Sequence, residues 1–185
     1  MEYFLDILNE FIKEKKLKNV VLVGHSMGGA ICMSYFLKYN KIKGLILIGT
    51  GAKLKVSPVI FDMLNKDFDK ILEYFDSISL FTKDKEIKQF IKNELSKTDK
   101  QIYIKDFYIC NKFDIMNQLD KITVPTLIMC GDKDILTPVK YSKYMNEKIK
   151  NSILHIIEKS GHLVQVERYK TVNKYIKNFI DSNIK

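Results

Sequence analysis

The sequence contains no tryptophan, only three prolines and three cysteines in 185 residues, and of its 31 lysines and arginines only Arg168 is an arginine. Each scarcity excludes something. Nucleic-acid surfaces rely on arginine for paired contacts and on interleaved aromatics for stacking. Here the net charge of +9 is almost all lysine spread over helix faces, which predicts a solvated surface and no nucleic-acid partner. Cys32, Cys110 and Cys130 are odd in number and have neither metal nor redox spacing, so reduced, buried thiols in a cytoplasmic protein are expected. No apolar run approaches the roughly 20 residues that cross a bilayer, and the N-terminus lacks the pattern of a secretion signal, so no stable membrane insertion is expected. There is no clustered ligand set for a metal and no glycine loop that would cradle a phosphate, so no cofactor is expected. Without repeats or low-complexity linkers, the chain reads as one domain, and its 46% hydrophobic content suffices for a core.

Against these absences stands one dense feature. Val20-Val21-Leu22-Val23 runs directly into Gly24-His25-Ser26-Met27-Gly28. A strand that turns at once into a helix forces the residue at the apex into a cramped conformation with its side chain clear of the sheet, which makes a serine there an exposed nucleophile. Glycines two before and two after let the two backbones approach, and Gly28, Gly29 and Ala30 continue the small-residue run into the first helical turn. The helix start aims free N–H groups at the reaction centre, so the N–H of Met27 is a candidate donor to an oxyanion. A bare Gly-x-Ser-x-Gly arises by chance in roughly 5% of chains this long, so its placement between an apolar strand and a helix carries the weight.

A serine hydroxyl is a poor nucleophile at neutral pH. It needs a histidine to take its proton and a carboxylate to fix and stabilise that histidine, and in the fold that uses this elbow the chain order is serine, acid, histidine. Leu127-Ile128-Met129-Cys130-Gly131 is a buried-strand pattern ending in a turn with two acids, Asp132 and Asp134. Ser160-Gly161-His162 follows the next strand. His162 falls on a loop at a strand end, where catalytic groups collect in open α/β sheets. His155 lies inside a strand, and His25, adjacent to Ser26, reads as a structural neighbour. The position one strand earlier, Ile48-Gly49-Thr50-Gly51-Ala52, offers no carboxylate.

Periodicity supplies the frame. A helical stripe over 3–16 precedes a strand at 19–24, a helix at 27–39 with Asn40 as C-cap, and a strand at 43–49, both strands lacking alternation and so expected to be buried on both faces. The last third predicts strand 126–131, helix 139–149, strand 153–158 and helix 164–182. Between them, Phe61, Leu64, Phe68, Ile71, Leu72 and Phe75, then Ile87, Phe90, Ile91 and Leu95, then Ile104, Phe107, Tyr108 and Ile109 fall at helical spacing with no strand signal.

Together these segments resemble α/β-hydrolase-fold serine hydrolases of the lipase, esterase and monoacylglycerol-lipase-like kind. The likeness rests on Val23-Gly24-His25-Ser26-Met27-Gly28-Gly29, on Phe113-Asp114 with Leu119, Ile122 and Pro125, on Gly131-Asp132-Lys133-Asp134-Ile135-Leu136-Thr137-Pro138, and on Gly161-His162 with Glu167-Arg168. It implies an α/β fold: a mostly parallel sheet of about four strands flanked by helices, with a partial core at 1–52 and 120–185 and a helical cap at 53–119. The cap's apolar stripes serve its own packing or the wall of an acyl pocket. Carried over residue by residue, Ser26 is the nucleophile, Asp134 the acid, His162 the base and Met27 one oxyanion N–H, acting on a small-molecule ester. The family's first strands have no counterpart in this sequence, nor does the loop that supplies a second oxyanion N–H, a donor typically worth about 10² to 10³ in turnover. Strand 19–24 is therefore expected to present a bare apolar edge, open to a second copy or another chain. That missing half also motivates an alternative role, a partner-dependent subunit with little turnover of its own.

Overall fold

In the computed structural model, residues 1–184 are described, with the side chains of Asp69, Leu72 and Asp76 set aside. Leu72, counted in the first helical stripe above, therefore lies outside the described side chains. Helix α1 (Glu2–Glu14) leads to β1 (Val21–His25), α2 (Met27–Tyr39) and β2 (Gly44–Ile48). After the helical segment come β3 (Thr126–Gly131), α7 (Val139–Lys148), β4 (Ser152–Ile157), α8 (Val164–Glu167) and α9 (Tyr169–Asn183).

The four strands form one parallel sheet in the order β1-β2-β3-β4. The two central strands, Gly44-Leu45-Ile46-Leu47-Ile48 and Thr126-Leu127-Ile128-Met129-Cys130-Gly131, are buried throughout, as near-continuous apolar runs require. Successive side chains take opposite faces. Leu45, Leu47 and Ile128 pack with Leu5, Met33, Tyr35 and Met145 on one face, whereas Ile46, Ile48, Leu127 and Met129 pack with Val172 and Phe179 of α9 on the other. Each such aliphatic side chain, fully withdrawn from water, is worth about 1.5–3 kcal/mol.

β1 corrects the expectation of full burial for strand 19–24. β1 pairs only with β2 among the described residues, and Val23 is 55% exposed on it. The strand is apolar because one face and its β2 side are covered; its free edge and the Val23 face remain open to water. The single helix expected over 164–182 is broken at Arg168, whose backbone (φ −131°, ψ 38°) is not helical.

Among the described residues four α-helices lie between β2 and β3, α3 (Pro58–Lys66), α4 (Phe68–Ser79), α5 (Lys85–Leu95) and α6 (Lys100–Lys112), followed by a short 3-10 helix over Met116–Lys121. Ser57, Asp67, Asp84 and Asp99 each cap the following helix by accepting a backbone N–H. The helices build their own core, with Ile60, Leu64, Ile71 and Phe75 buried and Phe75 stacked on Phe107 at a ring separation of 5.3 Å. The stems of this segment meet where Lys53 bridges Asp114 antiparallel and Ile115 N–H donates to the Ala52 carbonyl at 2.8 Å. No helix among the described residues is long and apolar enough to cross a membrane.

Candidate active site

Ser26 stands at the apex between β1 and α2 with φ 51° and ψ −119°, a conformation costing a non-glycine residue about 1–3 kcal/mol. It is held there by its neighbours. Its N–H donates to the Ile48 carbonyl at 3.0 Å, and its carbonyl accepts from Thr50 Oγ1 at 2.7 Å and Gly29 N–H at 2.9 Å. The closeness of strand and helix falls on Gly24: a Cβ there would lie 2.3 Å from the Gly28 carbonyl. At Gly28 itself a Cβ would meet nothing within 4 Å, so the close approach of strand and helix depends on the glycine at 24 and not on the one at 28. Met27 opens α2, and its N–H is among those the helix leaves unbonded.

The loop after β3 folds Asp134 against His162 across 28 residues of sequence. His162 Nδ1 lies 2.9 Å from Asp134 Oδ2, with both side chains buried. A carboxylate beside Nδ1 calls for an N–H there, which leaves the Nε2 lone pair free to accept a proton. Asp134 is itself fixed: Oδ1 accepts from Leu136 N–H (2.9 Å) and Thr137 N–H (2.8 Å), and Oδ2 accepts from Thr137 Oγ1 (2.7 Å). Burial pushes this carboxyl up, but the hydrogen bonds from His162 and Thr137 outweigh it, and the group stays below its ordinary value. Thr137 was not singled out from the sequence; the threonine three residues after an acid at a strand end was the available signal. Asp132 goes elsewhere, accepting from Ser160 N–H at 3.3 Å and pairing with Lys133 at 3.1 Å.

His25 is more than a chain neighbour of Ser26. Its Nε2–H donates to the His162 backbone carbonyl at 2.9 Å, and the two rings lie 4.6 Å apart. Burial, with the neighbouring His162 second, lowers its pKa to about 3 from an ordinary 6.5. A base whose folded value is depressed binds fewer protons than in the unfolded chain, so its contribution to stability is full above pH 6.5 and is lost as pH falls toward 3. We expect the unfolding free energy of the wild type to drop between pH 6.5 and 5, where most carboxylates stay ionised, by up to roughly 1.4 kcal/mol per pH unit, and the thermal midpoint to fall with it. His25→Gln should flatten that slope; an unchanged slope in differential scanning calorimetry would contradict this assignment.

His155 lies away from these groups, stacked on Tyr175 at 3.7 Å. Cys32 and Cys130 are buried, whereas Cys110 is half-buried and faces the active-site cavity, in contrast to the burial expected for all three. Burial pushes the thiols of Cys32 and Cys110 up to about 12, which makes them poor nucleophiles.

Ser26 and His162 line one cavity of about 550 Å³. The helical segment lines it with Phe75, Leu95, Tyr103 and Phe107, and the acid loop adds Ile135 and Leu136. The three aromatics Phe75, Tyr103 and Phe107 also pack the segment's own core. Among the described residues Ser26 Oγ makes no hydrogen bond, either with His162 or with any other group.

A strand-elbow-helix with its serine on the wall of a cavity that also receives a buried Asp–His pair, on a parallel sheet, defines an α/β-hydrolase-fold hydrolase. Comparison with known proteins agrees and is more specific: residues 2–169 match the family described as Serine aminopeptidase, S33, and the chain belongs to it. It is 28% identical to the AB hydrolase superfamily protein YisY of Bacillus subtilis over 96% of the chain and 72% of that protein. It is 27% identical to the putative esterase/lipase 2 of Mycoplasma genitalium, covering 98% of the chain and 71% of that protein. Among solved structures it superposes on an esterase from Exiguobacterium antarcticum with a TM-score of 0.91 at 27% identity, over 96% of this chain and 72% of that one. A thermophilic esterase gives 0.86 at 30% identity, over 96% and 71%.

Proposed function

We propose that this hydrolase is of the esterase type and cleaves small-molecule carboxylic esters through an acyl-enzyme on Ser26. The observation carrying the reading is that the strained serine and the Asp134-held imidazole share one cavity. Ser26 Oγ attacks the ester carbonyl while its proton passes to His162 Nε2. The developing oxyanion is met by the Met27 N–H, and collapse expels the alcohol, which takes the proton from the imidazolium. Water then attacks the acyl-enzyme with His162 as base, releasing the acid and restoring the serine. Asp134 keeps the imidazole in the productive tautomer throughout. Residues 53–119 act as a cap, and their apolar wall takes the acyl chain.

A second reading follows from the open edge of β1. Val23 and the unpaired side of that strand offer a template on which a second copy or another chain adds a strand, and with it a second oxyanion donor. One experiment separates the two. Under the first reading a fluorophosphonate probe labels Ser26 of the isolated chain, the adduct disappears in His162→Ala, and p-nitrophenyl esters are turned over. Labelling only after a partner is added supports the second reading, and absence of labelling under both conditions refutes both.

A further inference from the structure

Glu167 lies at the break between α8 and α9, and its side chain points inward although the residue is charged; it is only 7% exposed. Three backbone N–H groups converge on it. Oε1 accepts from Phe81 at 2.8 Å and Thr82 at 2.6 Å, both in the connection between α4 and α5, and Oε2 accepts from Gly161 at 2.6 Å. Burying a carboxylate is costly unless its lone pairs are satisfied, so this one is spent on joining two segments that are 80 residues apart in the chain.

The same two segments interlock a second time. Leu163 N–H donates to the Ser79 carbonyl at 3.1 Å, and a Cβ on Gly161 would lie 2.9 Å from that carbonyl oxygen and 3.0 Å from Phe81 N. His162 is thereby gripped along its backbone: Gly161 N–H by Glu167, its own carbonyl by His25, and Leu163 N–H by the end of α4. Arg168 steadies the other side of the break, donating to the Lys159 carbonyl at 2.7 Å. Ser79 and Leu163 also line the cavity, so the latch sits beside the space that the substrate would fill.

We propose that Glu167 is a positioning residue which locks the cap connection at 81–82 and the His162 loop into one unit, so that the imidazole is correctly placed only while the cap is seated. The inference rests on His162 being the base. Movement of the cap withdraws Phe81 and Thr82 from Oε1 and loosens the carboxylate that holds Gly161. A carboxylate is needed because it offers acceptors to both sides; glutamine offers one acceptor oxygen and an NH₂ that would oppose one of the donors.

Hydrogen exchange of the wild-type chain gives the first test. The amides of Phe81, Thr82 and Gly161 should open in one cooperative step, and rates differing by more than about tenfold overturn the coupling. Glu167→Gln, nearly the same shape, should speed exchange in this unit and leave the β2 and β3 amides protected. On p-nitrophenyl acetate it should lower kcat by about 10- to 100-fold with KM little changed, since a small misplacement of a catalytic group costs that much. Glu167→Ala should add a higher KM for the octanoate ester by unseating the cap. A folded Glu167→Gln protein with kcat within about twofold of wild type overturns the proposal. If the wild type hydrolyses no ester, the esterase reading falls, and the exchange data still decide whether the latch exists.

Discussion

Replacing Ser26 by alanine is expected to reduce p-nitrophenyl ester turnover by on the order of 10⁴- to 10⁶-fold, the range found when the nucleophile of a serine hydrolase is removed. The remaining rate would come from binding and the oxyanion donor alone. Stability should hardly change. Alanine and serine bear a similar penalty at a positive φ, the Ser26 backbone keeps its bonds to Ile48, Thr50 and Gly29, and the hydroxyl makes no hydrogen bond that the substitution would remove. Loss of turnover with an unshifted thermal midpoint is therefore the expected result. Undiminished turnover in the purified variant would place the chemistry elsewhere.

Asp134→Asn should cost about 10⁴ in kcat at neutral pH, whereas Asp132→Asn should cost no more than a few-fold. The asparagine keeps the size of the side chain and can still accept one N–H, but where its amide N–H₂ faces Nδ1 the imidazole is driven to carry its proton on Nε2. That leaves no lone pair to receive the serine proton. Asp132 is two residues away in sequence, yet it accepts from Ser160 and pairs with Lys133, so its loss removes a partly exposed ion pair of small energetic value. Stopped assays on both variants decide between the two acids, and equal losses would mean that the turn rather than Asp134 is what matters.

The positions of these two aspartates show where reading residues in order stops. Both stand in the same polar turn after the same strand, and in the sequence only Asp134's place further along the loop, where it bends toward the histidine, favours it. The separation comes from Thr137, whose N–H and hydroxyl bend the Asp134 carboxylate toward His162. His25 is a similar case. Adjacency to Ser26 marks it only as a structural neighbour, whereas its side chain meets the carbonyl of His162, 137 residues later. The broken helix at 168 was equally invisible, because Val164, Val172 and Phe179 keep an apolar pattern on both sides of it while Glu167 turns inward at the junction.

What the sequence determined by itself is local and periodic. Unbroken apolar runs specify the central strands, helical spacing specifies the flanking helices and those between β2 and β3, and a glycine pair around Ser26 specifies an elbow, because each depends on neighbours a few residues apart. Tertiary structure alone decided how Thr137 turns Asp134 onto the imidazole, that His25 meets the His162 carbonyl, and that a buried glutamate ties the 81–82 connection to the histidine loop. Those outcomes depend on hydrogen bonds between groups 25 to 137 residues apart, whose directions exist only once the sheet has brought its strand ends together.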